Sequence, residues 1–417
     1  MKKIKLNLTP LIFFTIALYV GEAGLDMIGI PIGISSSVMY LLLLIGIIIG
    51  VGDIKFSGKA NCVYLLYIYI LIRNLTLDKQ LFTDYWLPNA MTLVLFFVIA
   101  GYCEKKENVQ KLIDYSFAFL SILMALGCVK AIISPGRLAV FGGPNGYYKF
   151  ALFFEAICFV RFMEQEKKIY LLFACIGIAL SLLTGSKGAI ISLCLIIPLE
   201  YWYFFAGKGR LLTGFSKKLF VLLLIVFSAV LALMVVKSLF PSIAVTVERA
   251  ISLFTSDDAS QITSVNAREG LLALSWHYFL ESPIIGKGAM YLKFDTLHTS
   301  DPQPYAHNVF FEMLGEQGII GFILLLIILL TLLKGFKKRY LVNDRLYFLL
   351  YMAFLVYFLG AQFSGNILDS KVFLLYSMVI IIYKRRFVIK KNPVLHEVSE
   401  HQDKCEELNE EMSTVNG

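Results

Sequence analysis

Uncharged apolar runs, each near the roughly 20 residues that a bilayer-crossing helix needs, recur from one end of this chain to the other. In hydrocarbon every backbone polar group must be satisfied within the protein, so only helices or a closed barrel can span. The runs lack the polar–apolar alternation of barrel strands, which leaves helices. The chain is 58% hydrophobic and 16% charged. A soluble domain lies nearer half apolar and a quarter charged, so the soluble globular class is excluded. The expected fold is an all-α polytopic integral membrane protein of about twelve transmembrane helices, with one large outer loop containing short helices.

The runs fall at approximately 11–31, 35–52, 61–77, 86–101, 112–133, 148–163, 169–184, 188–206, 219–239, 308–333, 346–363 and 368–384. Four regions follow: membrane helices over 1–239, a large outer loop over 240–307, further membrane helices over 308–391, and an acidic tail over 392–417 expected to be disordered. The start, MKKIKLNLTPLIFF, has the basic and apolar parts of a signal peptide. The apolar run nevertheless continues past Glu22 and Asp26 without a small-residue cleavage site, so an uncleaved first helix is expected.

The net charge of +8 needs a topological reading before a nucleic-acid one. With the N-terminus inside, 26 of the 38 Lys and Arg fall in alternate connections or the tail, among them Lys105, Lys106, Arg161, Lys334, Lys384, Arg385 and Arg386. That bias is the positive-inside pattern and sets both termini in the cytoplasm. No nucleic-acid partner is expected. The cations left outside, including Arg137, Lys149, Lys187, Arg249, Arg268 and Lys287, suit an anionic partner there. For any one of them, ordinary solvation or a lipid phosphate serves as well. Six of the seven cysteines lie in or beside apolar runs, and neither a disulfide framework nor a zinc spacing is visible. His277, His298, His396 and His401 share no ligand spacing, so no metal site is expected.

Three outer stretches carry candidate chemistry. The first is the glycine-rich turn holding Arg137 and Asn145. The second is Thr184-Gly185-Ser186-Lys187-Gly188, where a cation and a hydroxyl can grip a phosphate; it lacks the spacing of a Walker loop. The third is the outer loop, where Asn266 is expected to cap a helix running to about Glu281, with Arg268 in its first turn and Ser282-Pro283 stopping it. The loop then meets an apolar helix at His307 and Asn308. Histidine titrates near neutrality and can act as a general base. Asn308, Glu312 and Glu316 share one helix face and are placed to hold the imidazole or an acceptor hydroxyl. A pair that only caps the helix would present the same pattern. Glu22, Asp26 and Glu155 are intramembrane acids, which keeps a transporter in view.

The segments GRLAVFGGPN (136–145), LTGSKGAIISL (183–193), NAREGLLALSWHYFLESPIIGKG (266–288) and AHNVFFEMLGEQGIIG (306–321) resemble, in order and spacing, motifs of the bacterial O-antigen polymerase and O-antigen ligase superfamily. The second departs from the family pattern, with Lys187 where arginine is usual; lysine keeps the charge and loses the bidentate fork. The resemblance implies a metal-independent membrane glycosyltransferase without a cofactor, acting at the outer face of the inner membrane. Its donor would be an oligosaccharide on undecaprenyl pyrophosphate. Carried over by motif position, His307 and Arg268 would be catalytic, with Arg137, Lys187, Asn145, Asn308 and Glu312 binding pyrophosphate or glycan. Membrane lipid, and a chain-length regulator and flippase of the same pathway, are the implied partners. The expected activity is repeat-unit polymerisation; ligation of finished glycan to lipid A-core is the alternative, and a lipid-linked oligosaccharide flippase is a reading of another class.

Overall fold

The computed structural model describes residues 58–73, 86–133, 138, 143–207, 259–292, 306–363 and 371–388. Among them 88% are helical and no strand occurs. The spans expected at 11–31, 35–52 and 219–239, the acids Glu22 and Asp26, and the tail lie outside the described residues.

After a short turn, Gly58–Ala60, the helices are α1 (Asn61–Arg73), α2 (Leu87–Tyr102), α3 (Lys106–Ile133), α4 (Gly143–Gln165), α5 (Lys168–Leu183), α6 (Lys187–Gly207), α7 (Ala259–Glu281), α8 (Val309–Leu333), α9 (Lys338–Asn343), α10 (Arg345–Ala361) and α11 (Lys371–Tyr383), the last continued by a turn, Lys384–Val388. α3, α6 and α8 are long and apolar enough to cross a membrane. The exposed faces are apolar as well. Ile122, Leu126, Val129 and Ile133 form one stripe on α3, and Ile319, Ile323, Leu326, Leu330 and Leu333 another on α8. Helical stripes of that kind suit hydrocarbon and would be a liability in water.

α4 is the hub: it packs on α3, α5, α6 and α10, and α10 packs in turn on α11. The core between them is rich in tyrosine, and each buried hydroxyl with a described partner bridges elements. Tyr67 donates to Asn89 Oδ1 at 2.9 Å, Tyr147 to the Leu123 carbonyl at 3.1 Å and Tyr351 to the Leu332 carbonyl at 2.7 Å. Glu155 is buried on α4 and meets Glu200 of α6.

One end of the bundle is tied by ion pairs. Lys106 meets Asp344 at 2.8 Å, Arg161 meets Asp114 at 2.7 Å, and Arg345 and Arg386 meet Glu164 and Glu104 at 3.6 Å. Tyr383 adds a hydroxyl to Asp344 at 2.9 Å. These are the connections that carry the basic bias of the sequence.

Two expected helices differ from the sequence reading. α7 begins at Ala259, so Asn266 lies inside it and Arg268 is not in its first turn. Nothing from Ala259 to Val265 breaks a helix, and an interior asparagine costs well under about 1 kcal/mol. α8 is not one uniform rod: Gly318, at φ 64° and ψ −167°, breaks it into Val309–Gln317 and Ile319–Leu333.

The break would orphan two carbonyls and two amides, which apolar surroundings do not tolerate. The segment after α7 satisfies all four. Lys287 N donates to the Gly315 carbonyl at 3.0 Å and Gly288 N to that of Glu316 at 2.8 Å; Ile319 N donates to the Pro283 carbonyl at 2.9 Å and Ile320 N to that of Ile284 at 3.3 Å. Only glycine fits at the crossing. Gly286 also has positive φ, and a Cβ there would strike the Glu316 carbonyl, while a Cβ on Gly318 would lie 2.5 Å from the Ile284 oxygen.

From α1, Arg73 donates to the carbonyls of Ile285 (3.1 Å) and Gly286 (2.8 Å), and Tyr69 donates to that of Gln317 (3.0 Å). The Glu316 carboxylate accepts from Met290 N at 2.8 Å and Leu292 N at 3.4 Å.

Gly318→Ala is expected to destabilise the purified protein by at least about 1–2 kcal/mol from left-handed strain alone. Gly270→Ala, on α7 with nothing within 4 Å of the added Cβ, is expected to stabilise by about 0.5–1 kcal/mol. Thermal unfolding in detergent checks both, and equal melting temperatures for the two variants would contradict the pairing described for Gly318.

Candidate functional site

The junction at the start of α8 gathers most of the residues that the sequence singled out. Asn308 is the N-cap: at φ −156° its Oδ1 accepts from Phe310 N at 2.9 Å and Phe311 N at 3.2 Å. Capping therefore occupies its oxygen and leaves its amide NH₂ as the group able to reach a ligand. His307 does not cap. It sits in the left-handed region at φ 52°, where histidine is among the better tolerated residues, and its ring turns towards the end of α10.

There His307 Nδ1 lies 3.1 Å from the carbonyl oxygen of Phe363. A carbonyl can only accept, so this contact assigns the proton to Nδ1; in the neutral ring the basic lone pair is then on Nε2. Glu312, one turn into α8, is buried on the face that Asn308 begins. Glu316 lies on that face as well, but its carboxylate is engaged by the backbone amides of Met290 and Leu292, so it anchors the loop and does not hold the imidazole.

Phe363 links this junction to the turn between α5 and α6. A Cβ on Gly188 would lie 3.3 Å from the Phe363 ring and 2.5 Å from the Tyr148 hydroxyl, so the chain beside Lys187 runs directly against both. Ser186 donates to Asn145 Oδ1 at 2.8 Å, joining that turn to the first turn of α4. Lys187, half-buried, is the first residue of α6. Arg137 lies outside the described residues. The next residue, Leu138, donates its amide to the Leu183 carbonyl at 3.1 Å, which ties the chain after Arg137 to the end of α5.

Arg268, also half-buried, projects from α7. That helix is seated on the first half of α8: a Cβ on Gly315 would come within 2.6 Å of the Ser275 carbonyl, and Trp276 meets Phe311 edge-on at 6.5 Å. Leu271, one turn after Arg268, packs in a small buried cluster with Tyr278, Leu292 and Ala306, the residue before His307. The loop cation Lys287 is bound to Glu281 at 2.6 Å, and that hydrogen bond holds the Glu281 carboxyl below its ordinary range.

His307 and the chain beside Lys187 thus both approach Phe363, Asn145 is joined to that same turn through Ser186, Asn308 and Glu312 belong to the adjoining helix, and Arg268 lies on the helix packed against it. Chemically this is a histidine with a defined basic nitrogen at a surface that also carries cations and amides. Among the described residues no group of three His, Cys, Asp or Glu is placed to hold a metal.

Residues 171–326 match the family model for O-antigen ligase. The match supports the O-antigen polymerase and ligase superfamily. It runs from α5 to the second half of α8 and so contains Lys187, Arg268, His307, Asn308 and Glu312, but neither Arg137 nor Asn145. No curated protein matches the chain. Members of the O-antigen ligase family are glycosyltransferase-like enzymes that act on lipid-linked oligosaccharides. With the apolar helices described above, the family points to an integral membrane protein.

Sequence reasoning missed Phe363, because a backbone carbonyl leaves no signal in residue identity. It also missed the clamp by Tyr69 and Arg73. The double glycine of Gly286-Lys287-Gly288 and the Gly318 step were the available signs that a loop crosses a broken helix.

Replacing Asn308 separates capping from recognition. Asn308→Ala is expected to cost about 1 kcal/mol of stability, whereas Asn308→Asp keeps the acceptor and the stability. Equal melting temperatures for the two variants would show that the cap contributes nothing.

Proposed function

We propose that this chain is a polysaccharide repeat-unit polymerase, a metal-independent glycosyltransferase of the bacterial inner membrane. It moves a glycan from undecaprenyl pyrophosphate onto the next lipid-linked repeat unit. The observation that carries the reading is the His307–Phe363 contact. It leaves Nε2 as the ring's base at the end of the bundle opposite the basic connections.

In this reading the basic end is cytoplasmic, by the positive-inside rule, and the His307 end faces the periplasm. Residues 1–239 and 308–391 form the membrane part, 240–307 the periplasmic loop, and 392–417 a cytoplasmic tail. Trp276, Leu280 and Ile284 expose apolar surface on α7 and the turn after it, a surface suited to the membrane interface and to a polyprenyl tail.

His307 Nε2 takes the proton of an acceptor hydroxyl as that oxygen attacks the anomeric carbon. The bond from that carbon to the pyrophosphate oxygen breaks, and undecaprenyl pyrophosphate leaves. Charge growing on the leaving oxygens is met by Arg268 and Lys187, with Arg137 from the neighbouring turn. Asn145, Asn308 and Glu312 bind glycan hydroxyls, and no nucleotide is consumed. The chain-length regulator and flippase of the pathway are its functional partners. The second reading, transfer of finished glycan to lipid A-core, is favoured by the description of the matching family as O-antigen ligase; the same residues serve it.

His307→Ala is expected to remove long glycan chains while the protein level in the membrane is unchanged; normal chain length would remove the general-base role. Lys187→Arg is expected to be tolerated and Lys187→Ala to shorten or abolish the polymer, whereas a silent Lys187→Ala would make that turn structural. In a strain lacking the gene, a ladder reduced to core plus one repeat unit supports polymerisation. Polymer accumulating on the lipid carrier supports ligation, and an unchanged ladder overturns both.

A further inference from the structure

At the opposite end of the bundle from His307, a cleft of about 280 Å³ opens between the end of α8, α10, and the end of α11 with its following turn. Its apolar lining comes from Leu332, Ile380 and Ile381, and its charged lining from Lys334, Lys384 and Arg385. The charges are all of one sign. The Lys334, Lys337 and Arg385 charges act on Lys384 in mutual repulsion, and repulsion of that kind is relieved by a bound anion.

The setting makes this cluster unusual. Four other cations of the same end are neutralised within the fold, since Lys106, Arg161, Arg345 and Arg386 each meet a carboxylate. Among the described residues Lys334, Lys384 and Arg385 form no ion pair. The hydroxyls of the cleft do not offset them either, since Thr331 donates to the Ile327 carbonyl at 2.7 Å and Tyr351 to that of Leu332 at 2.7 Å.

We propose that this cleft binds an anionic phospholipid, with the headgroup phosphate on Lys334, Lys384 and Arg385 and an acyl chain along Leu332, Ile380 and Ile381. The apolar lining distinguishes a lipid from a soluble phosphate, which has no use for it. So does the neighbouring surface: Leu330 and Leu333, on the last turn of α8 before Lys334, are 47% and 66% exposed and continue the apolar stripe of that helix up to the cations. A phosphate beside the end of a membrane helix, above hydrocarbon, is where a leaflet places its headgroups, and basic pockets between such helices suit them. The proposal does not depend on the reaction assigned to the opposite end.

Native mass spectrometry of the purified full-length protein, with added phosphatidylglycerol or phosphatidylcholine, tests it. Phosphatidylglycerol is expected to be retained in preference to phosphatidylcholine. The triple variant K334Q/K384Q/R385Q is expected to lose retention by at least about tenfold, with the single variant Lys384→Gln intermediate. Lys111→Gln, an exposed cation of α3 outside the cleft, serves as the control and is expected to bind as the unaltered protein does.

Equal retention of the two lipids would overturn the proposal. So would undiminished phosphatidylglycerol binding by the triple variant, or displacement of the lipid by millimolar inorganic phosphate, which would mark a soluble-anion site. Lipid retained only after deletion of residues 392–417 would also overturn it, by assigning the cleft to the chain's own acidic tail. Unaltered melting temperatures of the variants exclude a folding defect as the cause of lost binding.

Discussion

The exchange of backbone hydrogen bonds at Gly318 is the interaction on which the arrangement of the site depends. A helix that stops and restarts inside apolar surroundings leaves amides and carbonyls that must be satisfied. The Pro283–Gly288 segment supplies the partners, and that segment has no other regular structure of its own. Loop and helix therefore define each other. Because α7 leads directly into this loop, the same bonds hold α7 against the first half of α8, with Ser275 on Gly315 and Trp276 on Phe311. The position of Arg268 relative to His307 follows from that seating.

A second constraint is the close approach at the other side of His307. Its imidazole is held by a carbonyl at the end of α10, and the same residue, Phe363, is touched by the glycine that follows Lys187. Three connections far apart in the chain thus meet at one residue with no polar side chain. The left-handed backbone of His307 points the same way, since strain of that kind persists only where surrounding contacts over-determine it. The Phe363 contact defines the ring's tautomer, as the proposed general-base role requires.

The two ends of the bundle use charge differently. At one end, carboxylates neutralise four of the basic residues and tie α3, α4, α10 and the turn after α11 together. At the other, Lys187 and Arg268, which form no ion pair among the described residues, stand on elements that meet the chain around a histidine and amides. Within the tied end, Lys334, Lys384 and Arg385 form no ion pair among the described residues and are clustered over an apolar floor. Both unneutralised groups are suited to phosphate: in the proposed reaction it is the pyrophosphate of the leaving group, and in the cleft the headgroup of a lipid.

What the sequence determined by itself was the helical class and the position of most helices. Apolar runs bounded by basic connections leave little else possible, and nine of the eleven described helices fall on those runs with their ends displaced by up to six residues, whereas α7 and α9 fall on none of them. His307 and Asn308 were also legible, because a polar loop meeting an apolar run marks a helix start, and asparagine is a strong cap there. The start of α7 was not, since Asn266 looks like a cap whether or not the helix has already begun seven residues earlier. The break in α8 was hidden for the same reason: Glu316-Gln317-Gly318 inside an apolar run reads as a continuous helix until another segment is present to take its hydrogen bonds. Only the tertiary structure decided that Glu316 serves the loop, that Asn308's oxygen is occupied, and that His307 is oriented by Phe363. Those outcomes depend on backbone groups, which every residue carries and which are assigned partners by packing alone.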